Sequence, residues 1–158
     1  MKKLLGFGFV VSMLMTSCSK DKNGCTYSDS SLVAPAGEQA DLQTYVAANH
    51  PAAIKAAAGF YYEINSPGSG GSPDICSTVT VKYAGYLTNG TKFDENTTGI
   101  YFHLGDLIVG WQKGIPLIQK GGSINLYIPP SLGYGASAAG SIPGNSILVF
   151  TIQLLDYK

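Results

Sequence analysis

The stretch from Thr78 to Leu87 constrains this chain more than any other, because Thr-Val-Thr-Val-Lys-Tyr-Ala-Gly-Tyr-Leu is dominated by β-branched and aromatic residues. Such side chains lose rotamer freedom in a helix and pack well on a pleated surface, so the run is read as a strand. Asn89-Gly90 follows it, the strongest short hairpin-turn signal there is. Thr91-Lys92-Phe93-Asp94 is then the return strand.

Other segments repeat the pattern. Phe60-Tyr61-Tyr62-Glu63-Ile64 alternates as a strand, and Ile100 to Leu104 alternates with Ile100, Phe102 and Leu104 on one face. Ser123 to Ile128 is a further strand, stopped by Pro129-Pro130, and Ser146 to Asp156 closes the chain as another. Pro67 to Asp74 and Leu132 to Pro143 are loops, too dense in glycine, proline or alanine for strands. Helical spacing is rarer. Leu42, Tyr45 and Val46 share one face of a helix over Glu38–Asn49, which Asn49-His50-Pro51 terminates. Ala52 to Ala58 reads as one more short helical turn. Trp111, Ile115 and Ile118 form the apolar stripe of a helix starting at Val109, which Pro116 makes brief or kinked. Many strands and one short central helix argue for an α+β domain, an antiparallel sheet wrapped around a helix.

The N-terminus has a different character. Lys2 and Lys3 precede an apolar run, Leu4 to Leu14, too short to span a bilayer as a stable helix, and Met15-Thr16-Ser17-Cys18 follows. A small residue before a cysteine resembles the lipobox of bacterial lipoproteins, which implies a signal over 1–17, acylation of Cys18 and a membrane attachment through lipid alone. An ordinary signal peptide cut nearby is the alternative. The polar stretch after Cys18 suits a tether, so 18–59 is read as tether plus N-terminal helical segment and 60–158 as the main domain. The implied location is the bacterial envelope, with the outer membrane favoured. Acidic and basic residues balance at 10 each, with no basic stripe, which excludes nucleic acid as a natural partner. Cys25 and Cys76 remain, and an oxidising compartment makes a bond between them the natural reading, two buried free thiols being the alternative. Their spacing is no metal motif.

From Tyr61 onward the chain resembles the FKBP family of peptidyl-prolyl cis/trans isomerases. The resemblance rests on an ordered set: Val81-Lys82-Tyr83-Ala84-Gly85, Gly90-Thr91-Lys92-Phe93-Asp94, Phe102-His103-Leu104-Gly105, Ile108-Val109-Gly110-Trp111, Tyr127 to Gly135, and Ile142-Pro143 through Leu148-Val149-Phe150. It implies an FKBP-like curved antiparallel sheet around a short helix, here with an N-terminal helical extension. It also implies a proline pocket floored by Trp111 and walled by Tyr83, Phe93, Phe102 and Phe150, with Leu107, Ile108 and Ile142 contributing to substrate binding. Asp94 would stand at the pocket edge, Tyr134 would offer its hydroxyl to a substrate carbonyl, and the Ile108 amide would be a second donor. No cofactor or metal is implied. The implied partners are proline-containing polypeptides and macrolides of the rapamycin type. Ile100 stands where the family commonly has an aromatic residue, and Ala136 to Ser141 lacks the bulkier residues of some members.

The physics of the reaction agrees with that implication. Rotation about a prolyl amide costs about 18–20 kcal/mol because the C–N bond has double-bond character. Its planar form is dipolar and favoured by water, so a dry aromatic pocket favours the twisted form. The expected function is therefore X-Pro isomerisation in exported or surface proteins. A proline-segment binding module or envelope chaperone with little catalysis is the alternative. Gly133-Tyr134-Gly135-Ala136-Ser137-Ala138 mimics a dinucleotide fingerprint but no helical pattern follows it. His103 alternates away from the Phe102 face and is expected in solvent.

Overall fold

The structure is a computed structural model and describes residues 24–158; the expected leader over 1–17 and the expected lipid site at Cys18 lie outside the described residues. Six strands, β1 (Ile54–Lys55), β2 (Tyr61–Ser66), β3 (Thr78–Leu87), β4 (Lys92–His103), β5 (Ser123–Ile128) and β6 (Leu148–Tyr157), form one sheet in the order β1-β2-β5-β6-β3-β4. Every neighbouring pair is antiparallel. Helix α1 (Ala36–Asn49) precedes the sheet, and α2 (Val109–Gly114) follows β4.

Period-two alternation sorts the side chains to two faces. Ile124, Leu126 and Ile128 of β5 and Leu148, Phe150, Ile152 and Leu154 of β6 enter the main core, joined by Val79, Val81, Trp111, Ile115 and Ile118. Tyr127 and Tyr61 point the other way, paired across β2 and β5, and meet Leu42 and Val46 of α1. Thus α2 packs on one face and α1 on the other. The close seat of α2 depends on Gly110 and Gly114, one turn apart: a Cβ there would fall 2.6 Å from Ile128 Cδ1 and 2.5 Å from a Leu126 methyl.

Three local readings are corrected. The return strand and the Ile100–Leu104 strand are one continuous β4, with a register shift between the Val81↔Ile100 and Tyr83↔Asn96 pairs. Asn96 Oδ1 accepts the Gly99 N–H at 2.8 Å, which closes the extra residues into a bulge and lets pairing resume. Ala52 to Ala58 is not a helical turn: Ile54 and Lys55 pair with Tyr62 and Tyr61, because edge pairing satisfies backbone groups that alanine's helix preference would leave to water. The helix from Val109 ends at Gly114 and continues as a 3₁₀ turn, Ile115–Leu117, where Pro116 has no N–H to extend the α pattern.

The hairpin tip adopts its own form. Gly90 alone takes the left-handed conformation (φ 84°), and Asn89 Oδ1 accepts the Thr91 N–H at 2.9 Å. Cys25 and Cys76 are joined with Cα atoms 5.8 Å apart. From that bond the N-terminal segment crosses the turn before α2, where the Tyr27 ring lies over Gly105 and its phenol donates to Asp106. Among the described residues no helix is long and apolar enough to cross a membrane.

Candidate active site

Four elements contribute to one concavity. Tyr83 comes from β3, Phe93, Asp94 and Phe102 from β4, Phe150 from β6, Trp111 from α2, and Leu107, Ile108 and Tyr134 from loops. They line a pocket of about 190 Å³. Gly85 makes the close approach possible: it pairs with both Asp94 and Phe150, and a Cβ there would lie 2.6 Å from Phe93 and 2.8 Å from Phe150.

Trp111 is the floor, only 4 % exposed. Three rings stand edge-on around its indole: Tyr83 at 5.1 Å and 80°, Phe150 at 5.1 Å and 86°, and Phe102 at 6.3 Å and 82°. Phe93 meets Phe150 at 5.5 Å and 88°. Such edge-to-face contacts add about 0.5–1.5 kcal/mol each beyond area burial, so the wall holds its shape without a ligand. The indole Nε1 is buried and finds no hydrogen-bond partner among the described residues.

The Tyr83, Asp94 and Tyr134 polar groups stand at the rim. The Tyr83 phenol donates to Asp94 Oδ2 at 2.6 Å. Burial, then this hydrogen bond and the Asp94 charge, holds the Tyr83 phenol well above the ordinary tyrosine range. Tyr134 is 46 % exposed, and burial followed by the Asp94 charge raises its phenol too. Both are therefore neutral donors near neutral pH. Ile108 closes the other side. Its carbonyl caps α2 by accepting from Trp111 N (2.9 Å) and Gln112 N (3.1 Å), while its own N–H has no partner among the described residues.

A family profile for FKBP-type peptidyl-prolyl cis-trans isomerases matches residues 70–155, more than half of the sequence. The chain belongs to the FKBP family. The FKBP-type isomerase FkpA of Buchnera aphidicola (subsp. Schizaphis graminum) is 45 % identical over 108 residues, covering 66 % of this chain and 43 % of that protein. This FKBP chain thus spans less than half the length of that curated relative. The crystal structure of FkpA from Escherichia coli superposes with a TM-score of 0.71 at 38 % identity, covering 78 % of this chain and 60 % of that one. A peptidyl-prolyl isomerase structure from Pseudomonas syringae pv. tomato gives 0.69 at 32 % identity, covering 79 % and 97 %. The expected FKBP-like antiparallel sheet with a short helix and an N-terminal helical segment is the fold of this protein.

The structure brings together all the anticipated pocket residues but one. Ile142 lies outside the lining: it is buried at 6 % in the main core, and a two-bond bridge with Ala139 fixes its backbone at 2.9 and 3.0 Å. Three supporting residues had no signature in the sequence. Gln112 Nε2 donates to the carbonyls of Leu107 (2.7 Å) and Gly105 (3.1 Å), holding the rim segment from within α2. Tyr27 holds it from outside through Asp106. Glu38 reaches from α1 to the Ser131 N–H at 2.9 Å. Each is a polar residue whose partner is fixed only by the fold. His103 is exposed, with Nδ1 3.0 Å from Thr78 Oγ1. A wider groove of about 400 Å³, lined in part by Thr78, Thr80, Tyr101 and His103, mixes polar groups without converging aromatic rings.

Proposed function

We propose that this FKBP-family chain accelerates cis/trans rotation of X-Pro bonds in exported or surface proteins. The observation that carries the reading is the ring of edge-on aromatics around Trp111, with the Tyr83–Asp94 hydrogen bond at its mouth. A proline ring seated on the indole leaves its amide among rings rather than water. The planar amide then loses the solvation that stabilises its dipolar form, and the twisted amide gains relative to it. Tyr134 Oη and the Ile108 N–H hold the flanking carbonyls, which fixes the chain on one side while the bond turns. Asp94 anchors the Tyr83 ring by accepting a hydrogen bond from its phenol, and keeps negative charge at the rim. The same well suits the apolar ring of a rapamycin-type macrolide.

In this reading residues 1–17 are removed, Cys18 carries the lipid that attaches the protein to the outer membrane of the bacterial envelope, and 18–59 and 60–158 act as tether-plus-helix and isomerase domain. The leader-like composition of residues 2–14 supports export, and the Cys25–Cys76 bond fits an oxidising compartment.

The test is NMR exchange between the cis and trans forms of a Leu-Pro peptide, with a soluble form lacking residues 1–18. Acceleration abolished by a rapamycin-type macrolide supports both the activity and the pocket. A folded, disulfide-intact sample that leaves the exchange rate unchanged would reject catalysis in favour of simple proline-segment binding.

A further inference from the structure

The turn that leads to Tyr134 is held from another part of the fold. Pro130–Leu132 is a short 3₁₀ turn whose preceding residue, Pro129, supplies no side-chain cap. Pro130 has no N–H, so the first free amide of the turn is that of Ser131. Pro130 and Leu132 are buried, and the Ser131 hydroxyl is itself buried with no partner among the described residues. The donor is satisfied instead by Glu38 Oε2, 93 residues earlier in the chain, at 2.9 Å.

Glu38 is well placed to act as a fixed post. One turn further along α1, Leu42 is fully buried, and with Val46 it packs against Tyr61 and Tyr127 of the sheet. Beyond Ser131, the Pro130 carbonyl accepts from Gly133 N (2.9 Å) and Gly135 N (2.8 Å), the two residues that flank Tyr134. The Gly135 carbonyl in turn accepts from Asn145 N at 2.9 Å. Tyr134 lines the pocket, yet its phenol has no hydrogen-bond partner among the described residues, so the backbone of this turn sets its position.

We infer that Glu38 is a positioning residue for Tyr134: the N-terminal helix completes the isomerase pocket by pinning the turn that carries its hydroxyl. The inference rests on the proposed role of Tyr134. It assigns to α1 a function beyond covering the sheet. It also differs from a merely local role of Glu38 at the positive end of its own helix, which would not reach the pocket.

A double-mutant cycle on the full chain in detergent separates these possibilities. Glu38→Ala is expected to lower kcat/KM about fivefold, the scale of one lost hydrogen bond, while Glu38→Gln, which keeps an acceptor, stays within about twofold. In a Tyr134→Phe background, Glu38→Ala should cost less than about twofold more, because the group it positions is gone. Where Tyr134→Phe alone lowers the rate, equal losses from Glu38→Ala in both backgrounds, or none in either, would overturn the inference. If Tyr134→Phe alone has no effect, the catalytic reading of Tyr134 fails, and the positioning role is then read directly by NMR. Glu38→Ala should shift the Tyr134 ring resonances and speed exchange of the Ser131 amide; unchanged signals would reject it. Should Glu38→Ala fold poorly, Glu38→Asp, one methylene too short to reach Ser131, serves in the same cycle.

Discussion

The Tyr83 phenol and the Asp94 carboxylate meet at 2.6 Å across neighbouring strands, and the same Tyr83 ring stands 5.1 Å from the indole of Trp111. One wall of the pocket is therefore fixed from two sides, by a charge-assisted hydrogen bond at the rim and an edge-to-face contact at the floor. Removing the rim bond should leave a folded protein with a looser wall. Asp94→Val is expected to lower kcat/KM about tenfold, or ~1.4 kcal/mol, while melting changes little because both polar ends reach solvent. A rate matching the parent protein would remove Asp94 from the site.

Tyr134→Phe deletes one hydroxyl that has no partner among the described residues. Stability should stay within about 0.5 kcal/mol of the parent, whereas kcat/KM falls about fivefold, the scale of one neutral hydrogen bond. Thermal melts and peptide exchange rates on the same sample separate the two quantities. A large loss of stability with no loss of rate would make Tyr134 a structural residue.

Trp111 is the single tryptophan of the sequence and is also the pocket floor. Its fluorescence is therefore a reporter for the site. Titration with a Leu-Pro peptide should shift or quench the emission saturably, and the matching Leu-Ala peptide should not. Equal responses to both would mean that the well does not select the proline ring.

The seat of α2 on β5 leaves no room for added volume at Gly110, where a Cβ would lie 2.6 Å from Ile128. Gly110→Ala should raise helix propensity and still destabilise, by about 1–3 kcal/mol, because overpacking outweighs the propensity gain. Denaturant unfolding measures it. A stabilised variant would show that the helix can lift from the sheet at no cost.

Both pocket phenols are raised above the ordinary tyrosine value, Tyr83 and Tyr134 alike mainly by burial and further by Asp94. A raised folded value means that the stability each contributes is complete below about pH 10 and is lost as pH climbs through the folded value. Turnover should accordingly be flat from about pH 6 to 9 and decline only in stronger alkali. A drop centred below about pH 9 that disappears in Tyr134→Phe would contradict this ordering.

What the sequence by itself determined was local. The alternation of Ser123–Ile128 became β5 with those limits, and the spacing of Leu42, Tyr45 and Val46 became the inner face of α1. The stripe of Trp111, Ile115 and Ile118 became buried core, since periodicity is a property of near neighbours along the chain. The aromatic residues of the pocket were also legible, through the ordered motifs of the family. Tertiary structure decided what meets what. Whether Ala52–Ala58 was helix or edge strand depended on the backbone groups of β2 needing partners, which outweighed alanine's preference. The continuity of β4 depended on a bulge closed by Asn96, and the depth of the pocket on how closely Gly85, Gly110 and Gly114 let strands and helix approach. Ile142 carried a pocket motif, yet its bridge to Ala139 kept it in the core. Glu38 and Ser131 are 93 residues apart, and no local pattern could pair them. Their meeting required α1 to settle on the Tyr61–Tyr127 face, a choice made by burial of apolar area across the whole domain rather than by any segment of it.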